Sequence, residues 1–106
     1  MSVRDDFTVR LGETWTYVVS CTDADGNAVS PATADWKLEE LDGTTVLALT
    51  QISGIIIGVS TCTITVQTSN QSGVLPGAYR HRLKITDAGG AISRQVHGQI
   101  QVLADD

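Results

Sequence analysis

The chain has 106 residues, with seven Lys or Arg against twelve Asp or Glu and a formal net charge of −5. That length suits one domain that buries its own core without metal or disulfide support. The acidic balance speaks against nucleic acid, which requires a local positive excess, and no aliphatic run, Ile55–Ile57 among them, comes near the roughly 20 residues of a membrane-spanning helix.

Period-two alternation of apolar and polar residues dominates, and no stretch carries a helical stripe. The opening "MSVRDDFTVR" has no apolar core of a secretory signal, so synthesis and assembly in the cytoplasm are expected. "DFTVRL" puts Phe7, Val9 and Leu11 on one side of a first strand. "TWTYVVSCT" does the same for Trp15, Tyr17, Val19 and Cys21, with Thr14, Thr16, Val18 and Ser20 opposite. "DADGN" (residues 23–27) is a turn, its Asp-Gly and Gly-Asn pairs supplying positive-φ positions.

"ADWKLEEL" sends Trp36 and Leu38 inward and Asp35, Lys37 and Glu39 outward, and "LDGT" turns the chain again. "TVLALTQI" makes a short strand with Leu47 and Leu49 inward. "SGIIIGVS" gives a brief strand between glycines, and "TCTITVQT" a clean one with Cys62, Ile64 and Val66 inward. "SNQSGVLPG" is the longest connector, with room for one short helical turn. Ala78–Thr86 then alternates Tyr79, His81, Leu83 and Ile85 with Arg80, Arg82, Lys84 and Thr86. After "DAGG", the final strand sets Val96, Gly98, Ile100 and Val102 against Gln95, His97, Gln99 and Gln101. Gly98 marks a bulge or a close approach of another backbone.

Seven or eight strands broken by frequent turns predict an all-β antiparallel fold, a β-sandwich or a small barrel. Residues 1–106 form one domain with short acidic tails, segments 1–6 and 103–106 being free to order on docking. The chain resembles immunoglobulin-like domains in two places, and the resemblance implies the sandwich. Trp36 lies in the third strand, where such domains often bury a Trp. Tyr79, two residues after Gly77, looks like a tyrosine corner, in which the phenol bonds back to upstream backbone. His81 stands where an antibody-type domain carries its second Cys, and Cys62 falls on the fifth strand instead of the sixth. More closely, "FTVRLGETWTYVVSCTDADGNAV" and "LPGAYRHRLKITDAGGAISRQVHGQIQV" resemble the opening and closing segments of immunoglobulin-like domains of tailed-phage and prophage virion proteins, such as the N-terminal domain of baseplate upper proteins. In that order Cys21 and Cys62 lie on neighbouring strands, and a protein assembled in the cytoplasm keeps them as free thiols.

No constellation for catalysis stands out. "DADGN" starts like a calcium loop, but the twelfth position, where a bidentate acid belongs, is Ala34. Glu39 and Glu40 are adjacent on a strand and point to opposite faces. His81 is expected to be a buried neutral histidine, with His97 facing the other way. The sequon at Asn70 carries little without a secretory signal. Neither cofactor, metal nor small-molecule substrate is expected.

The remaining candidate is a docking face of Arg80, Arg82, Lys84, Gln95, His97 and Gln99. If the third strand shares a sheet with the last two, Asp35, Lys37 and Glu39 lie across from this comb and partly neutralise it. The face lacks aromatics on which bases stack, which argues against single-stranded nucleic acid.

The resemblance implies a non-enzymatic structural protein of a phage or prophage particle: a tail, baseplate, neck, fibre-attachment or capsid-decoration component. Such a protein works as a multi-copy adaptor between other virion proteins in a symmetric assembly, with no membrane partner. The alternative is a bacterial cell-surface or carbohydrate-binding sandwich module, which would expose aromatics on one face. Here Trp15, Tyr17, Trp36 and Tyr79 are all expected inward.

Overall fold

The alternation read from the sequence becomes strands almost everywhere. The computed structural model describes residues 2–105, in which nine strands build two packed sheets. The strands are β1 (Val3–Arg4), β2 (Phe7–Arg10), β3 (Trp15–Ser20), β4 (Pro31–Glu40), β5 (Thr45–Thr50), β6 (Ile55–Ile57), β7 (Thr61–Val66), β8 (Gly77–Asp87) and β9 (Ile92–Leu103). One 3-10 turn, Thr68–Gln71, sits in the long connector. The larger sheet runs β1-β9-β8-β4-β5 with β2 also on β9, and the smaller runs β3-β7-β6. This is an immunoglobulin-like β-sandwich.

Two details depart from the expected strand plan. The first strand is split into β1 and β2, and both run parallel to β9, so the larger sheet is mixed. The N-terminal segment is therefore already ordered on β9 from Val3 onward, instead of hanging free as a tail. Met1 and Asp106, the outermost residues of the expected tails, lie outside the described residues.

Asp5 and Asp6 cause the split. The Asp5 N–H donates to the His97 carbonyl at 2.8 Å, and the Asp6 carboxylate accepts from the Gln99 N–H at 2.8 Å. The Asp5 carbonyl passes so close over Gly98 that a Cβ there would overlap its oxygen. Gly98 is thus a close-approach glycine, the second of the two readings its place in the strand allowed.

The core lies between the sheets. Trp36, Leu38, Leu83, Ile85 and Ile100 from the larger sheet meet Ile64, Val66 and Cys62 from the smaller, all 2% exposed or less. Each large aliphatic side chain buried there contributes roughly 1.5–3 kcal/mol. The tyrosine corner is present. The Tyr79 hydroxyl donates to the Leu75 carbonyl at 2.6 Å and accepts from the Leu75 N–H at 3.1 Å, clamping the connector onto β8. Pro76 and Gly77 bring the chain round to make that reach possible, Gly77 at φ 150°.

Candidate docking face

The larger sheet presents its outer face as three cross-strand rows. The central row is Arg4 on β1, His97 on β9, Arg82 on β8 and Lys37 on β4. One flanking row is Gln99, Arg80 and Glu39; the other is Arg94, Lys84 and Asp35. The expected register of Asp35, Lys37 and Glu39 against the comb is thus found, since β4 pairs β8 throughout. Arg4, Arg80, Arg82, Arg94, His97 and Gln99 line one shallow depression of about 430 Å³ together with Glu39.

The comb is only partly neutralised by the acids across from it. Glu39 reaches diagonally to Arg82, Oε2 to Nη2 3.4 Å. Arg4 holds Asp6 at 3.1 Å, and that ion pair follows the Gln99 N–H as the second cause keeping the Asp6 carboxyl below its usual range. Asp42, in the β4–β5 turn, is held low chiefly by the Thr44 N–H and more weakly by Arg80. Arg94, Lys84 and Lys37 have no carboxylate within 4.0 Å among the described residues. Six of the seven Lys and Arg side chains (Arg4, Lys37, Arg80, Arg82, Lys84 and Arg94) lie on this face of a chain whose net charge is −5.

One predicted member does not belong to it. Gln95 is 3% exposed. The register between β8 and β9 shifts at Leu83/Lys84, where Arg94 opposes Lys84 and Val96 opposes Leu83. Gln95 is the extra residue of a β-bulge, and bulges re-aim side chains. Its amide accepts from the Thr22 N–H at 2.9 Å and donates to the Thr22 carbonyl at 3.0 Å, tying β9 to the end of β3. The same bulge turns Arg94 outward, a position that strict alternation assigns to the core. Arg4 was missed for a different reason: nothing local in "SVRDD" announces parallel pairing with β9.

Behind the face lies a chain of hydrogen bonds. The Trp36 indole N–H donates to His81 Nδ1 at 3.3 Å, so the proton of the neutral ring sits on Nε2, which donates to the Asp5 carbonyl at 2.8 Å. Burial pushes the His81 pKa below its ordinary value, against the opposing pull of Asp5 and Asp6. His81 is the buried neutral histidine the alternation implied, wedged edge-on against Phe7 and Tyr17. The Tyr17 hydroxyl donates to the Asp5 carboxylate at 2.5 Å. Desolvation, then that bond, raises the Tyr17 pKa well above the normal phenol range. Trp36, His81, Asp5 and Tyr17 fix the N-terminal segment over β9, and with it Arg4 on the face.

The other candidates resolve into structure. The Asp23 carboxylate accepts the N–H groups of Asp25 and Asn27, each at 2.9 Å, so it closes its own turn. Among the described residues, no group of three or more His, Cys, Asp or Glu side chains is placed to hold a metal ion. Cys21 and Cys62 sit on neighbouring strands with sulfurs 3.8 Å apart, unbridged and buried. The hydrogen bond between them, with burial, drives the Cys62 thiol pKa far up.

A second cleft, of about 470 Å³, opens between β2 and β3 and is lined by Phe7, Trp15, Tyr17 and Trp36 with Asp5 and Glu13. Its aromatics are buried or half-buried, in keeping with their inward assignment.

No protein-family model matches the chain, and no curated protein matches it in sequence. Among solved structures, CopC from Methylosinus trichosporium OB3b superposes with a TM-score of 0.50 at 15% identity, over 76% of this chain and 72% of that one. The V domain of amphioxus IgVJ-C2 aligns over 93% of this chain and 99% of its own, at 16% identity and a TM-score of 0.34. At such identities the likeness to CopC is a likeness of fold: the chain is an immunoglobulin-like β-sandwich.

Proposed function

We propose that the chain is a non-enzymatic structural protein of a phage or prophage particle, a multi-copy adaptor that docks through the outer face of its larger sheet onto acidic surfaces of neighbouring subunits. The observation that carries the docking half is the charge segregation. Six of seven basic side chains share one sheet face, with Asp35 and Glu39 set among them, while the molecule as a whole is acidic. Such a face steers an oppositely charged partner into one orientation and repels wrong ones. The face is built on long strands with fixed register, so the charges are held in a rigid array. No Phe, Tyr or Trp stands on it among the described residues, which favours a protein partner over stacked bases. The phage half of the reading rests on the sequence resemblance of the opening and closing segments.

The test is the native assembly. Antibody labelling and mass measurement on particles released from the producing cell should find the chain in several symmetry-related copies. Raising the salt or introducing Arg82→Glu should release it. A chain found only as a free monomer, with no particle carrying it, overturns the reading.

A further inference from the structure

The smaller sheet ends in a strand whose outer edge is unpaired. On β7, the Thr65 N–H and the Thr61 carbonyl bond toward β6, to the Gly54 carbonyl and the Gly58 N–H, each at 2.8 Å. Alternation then sends the backbone groups of Cys62, Ile64 and Val66 toward β3. Their opposite residues are Val19, Tyr17 and Trp15, so Thr16, Val18 and Ser20 aim their N–H and C=O groups away from β7. Among the described residues, no hydrogen bond reaches them. All three residues are exposed.

Soluble sandwiches guard such an edge with Lys, Pro, a bulge or a covering segment. Trp15–Ser20 reads WTYVVS and has none of the side-chain guards, and its register with β7 runs without a shift. The segment that precedes it in the chain, β1 and β2, is committed to β9 on the other sheet and does not cover it. The side chains of the edge strand and of the two strands paired behind it are uncharged as well. Val18, Thr63 and Ile56 form one cross-strand row on the outer face, with Val18 58% and Ile56 70% exposed.

We propose that this edge pairs with the same edge of a second copy. The two β3 strands run antiparallel about a two-fold axis at Val18, with Thr16 opposite Ser20 of the other copy. The three outward-facing residues then satisfy one another's backbone groups, and the two small sheets become one continuous six-stranded sheet. The row Ile56–Thr63–Val18 continues across the axis into its symmetry mate, β-branched residue against β-branched residue, an arrangement that stabilises neighbouring strands. The symmetry of the edge selects a second copy as the occupant. Its outward residues Thr16, Val18 and Ser20 read nearly alike in both directions about Val18, so a second copy turned about that residue sets hydroxyl against hydroxyl and Val18 against itself, and the uncharged strand keeps the two net charges of −5 off the contact. An isologous contact of this kind closes on itself and leaves both basic faces outward, free to dock.

Sedimentation of the intact chain across a concentration series, with circular dichroism to follow folding, tests this. A reversible dimer is expected. Val18→Pro removes an N–H that the β3–β7 ladder does not use, and Val18→Lys places a charge on the axis against its own copy. Both should sediment as folded monomers at concentrations where the parent is mostly dimer, while Arg82→Glu should dimerise as the parent does. A parent that stays monomeric up to its solubility limit overturns the proposal. So does a dimer that survives both Val18 variants, or association lost with Arg82→Glu and kept with Val18→Pro, which would place the contact on the basic face.

Discussion

The two outer faces of this sandwich are built from the same strand geometry and opposite chemistry. The larger sheet turns Arg4, His97, Arg82 and Lys37 to solvent in a single row. The smaller turns out Val18, Thr63 and Ile56 in the equivalent row and carries no charge on any of its three strands. Both faces rest on one core, so the inward positions of the two sheets are interchangeable in kind: Val19, Cys62 and Ile64 on one side, Leu83 and Ile85 on the other. The fold therefore requires only the inward half of each strand. The outward half is free to vary, and here one sheet turns out charged side chains and the other uncharged ones beside an open backbone edge. A contact through the first would weaken with salt, and one through the second would be largely untouched.

Trp36→Ala tests whether the two faces depend on the same core. It removes the largest fully buried side chain, and a cost of about 3–5 kcal/mol in urea denaturation is expected, with both faces lost together. A variant that unfolds one sheet while the other persists would break the comparison. Gly98→Ala acts on one side only. Its Cβ meets the Asp5 carbonyl, so the N-terminal segment must lift, at about 1–3 kcal/mol. Arg4 leaves the basic face with it, while β3 self-pairing should persist. A Gly98→Ala chain as stable as its parent would show that the Asp5 crossing is not fixed.

The pH dependence separates the faces further. His81 lies on the inner side of the larger sheet, and burial lowers its pKa. The unfolded chain then binds this proton more readily than the folded one. The stability that the neutral ring contributes is complete above about pH 6.5 and is lost as pH falls below that value toward the folded pKa. His81→Gln keeps a donor for the Asp5 carbonyl and an acceptor for the Trp36 N–H without a titrating ring. Denaturant midpoints measured for parent and variant should share a pH slope only above that range. An identical slope in the acid range would remove His81 as its source.

How much of this was legible differs between the sheets. Alternation placed the inward residues of β3, β4, β7 and β8 correctly, because each strand is wetted on one side only and its pattern has a single reading. The tyrosine corner was legible too, since Pro-Gly followed by Tyr at a strand start has few other uses. Gln95 was misplaced because a bulge adds one residue and inverts the alternation on one side of it. "ISRQV" alternates equally well in either phase, and the phase is chosen by Thr22, 73 residues away. The N-terminal pairing was illegible for a related reason. The interactions that hold Asp5 and Asp6 across Gly98 join groups distant in sequence, and only the presence of a glycine inside a strand hinted at them. The basic face was half visible as a comb on one strand. The expected register set Lys37 across from it, and its full extent emerged only when pairing set Arg4 and Arg94 beside it.

The smallest expected effect is the most informative about what the basic face is for. Arg82 and Glu39 meet at 3.4 Å with side chains 36% and 13% exposed, so the pair is half in water. A double-mutant cycle of Arg82→Ala and Glu39→Ala should give a coupling of about 0–1 kcal/mol in denaturation. Stability alone would then give little reason to keep the two residues. Docking should respond differently. Glu39→Ala leaves the face one negative charge poorer and Arg82 unpaired, so release of the chain from its assembly should need more salt. Arg82→Ala should release it at less. If the two substitutions shift the release point in the same direction, the face is serving as a charge-balanced sheet surface and the acidic partner must be sought elsewhere. If the shifts are opposite and the folding cycle is near zero, the Arg82–Glu39 pair serves binding and contributes little that the fold requires.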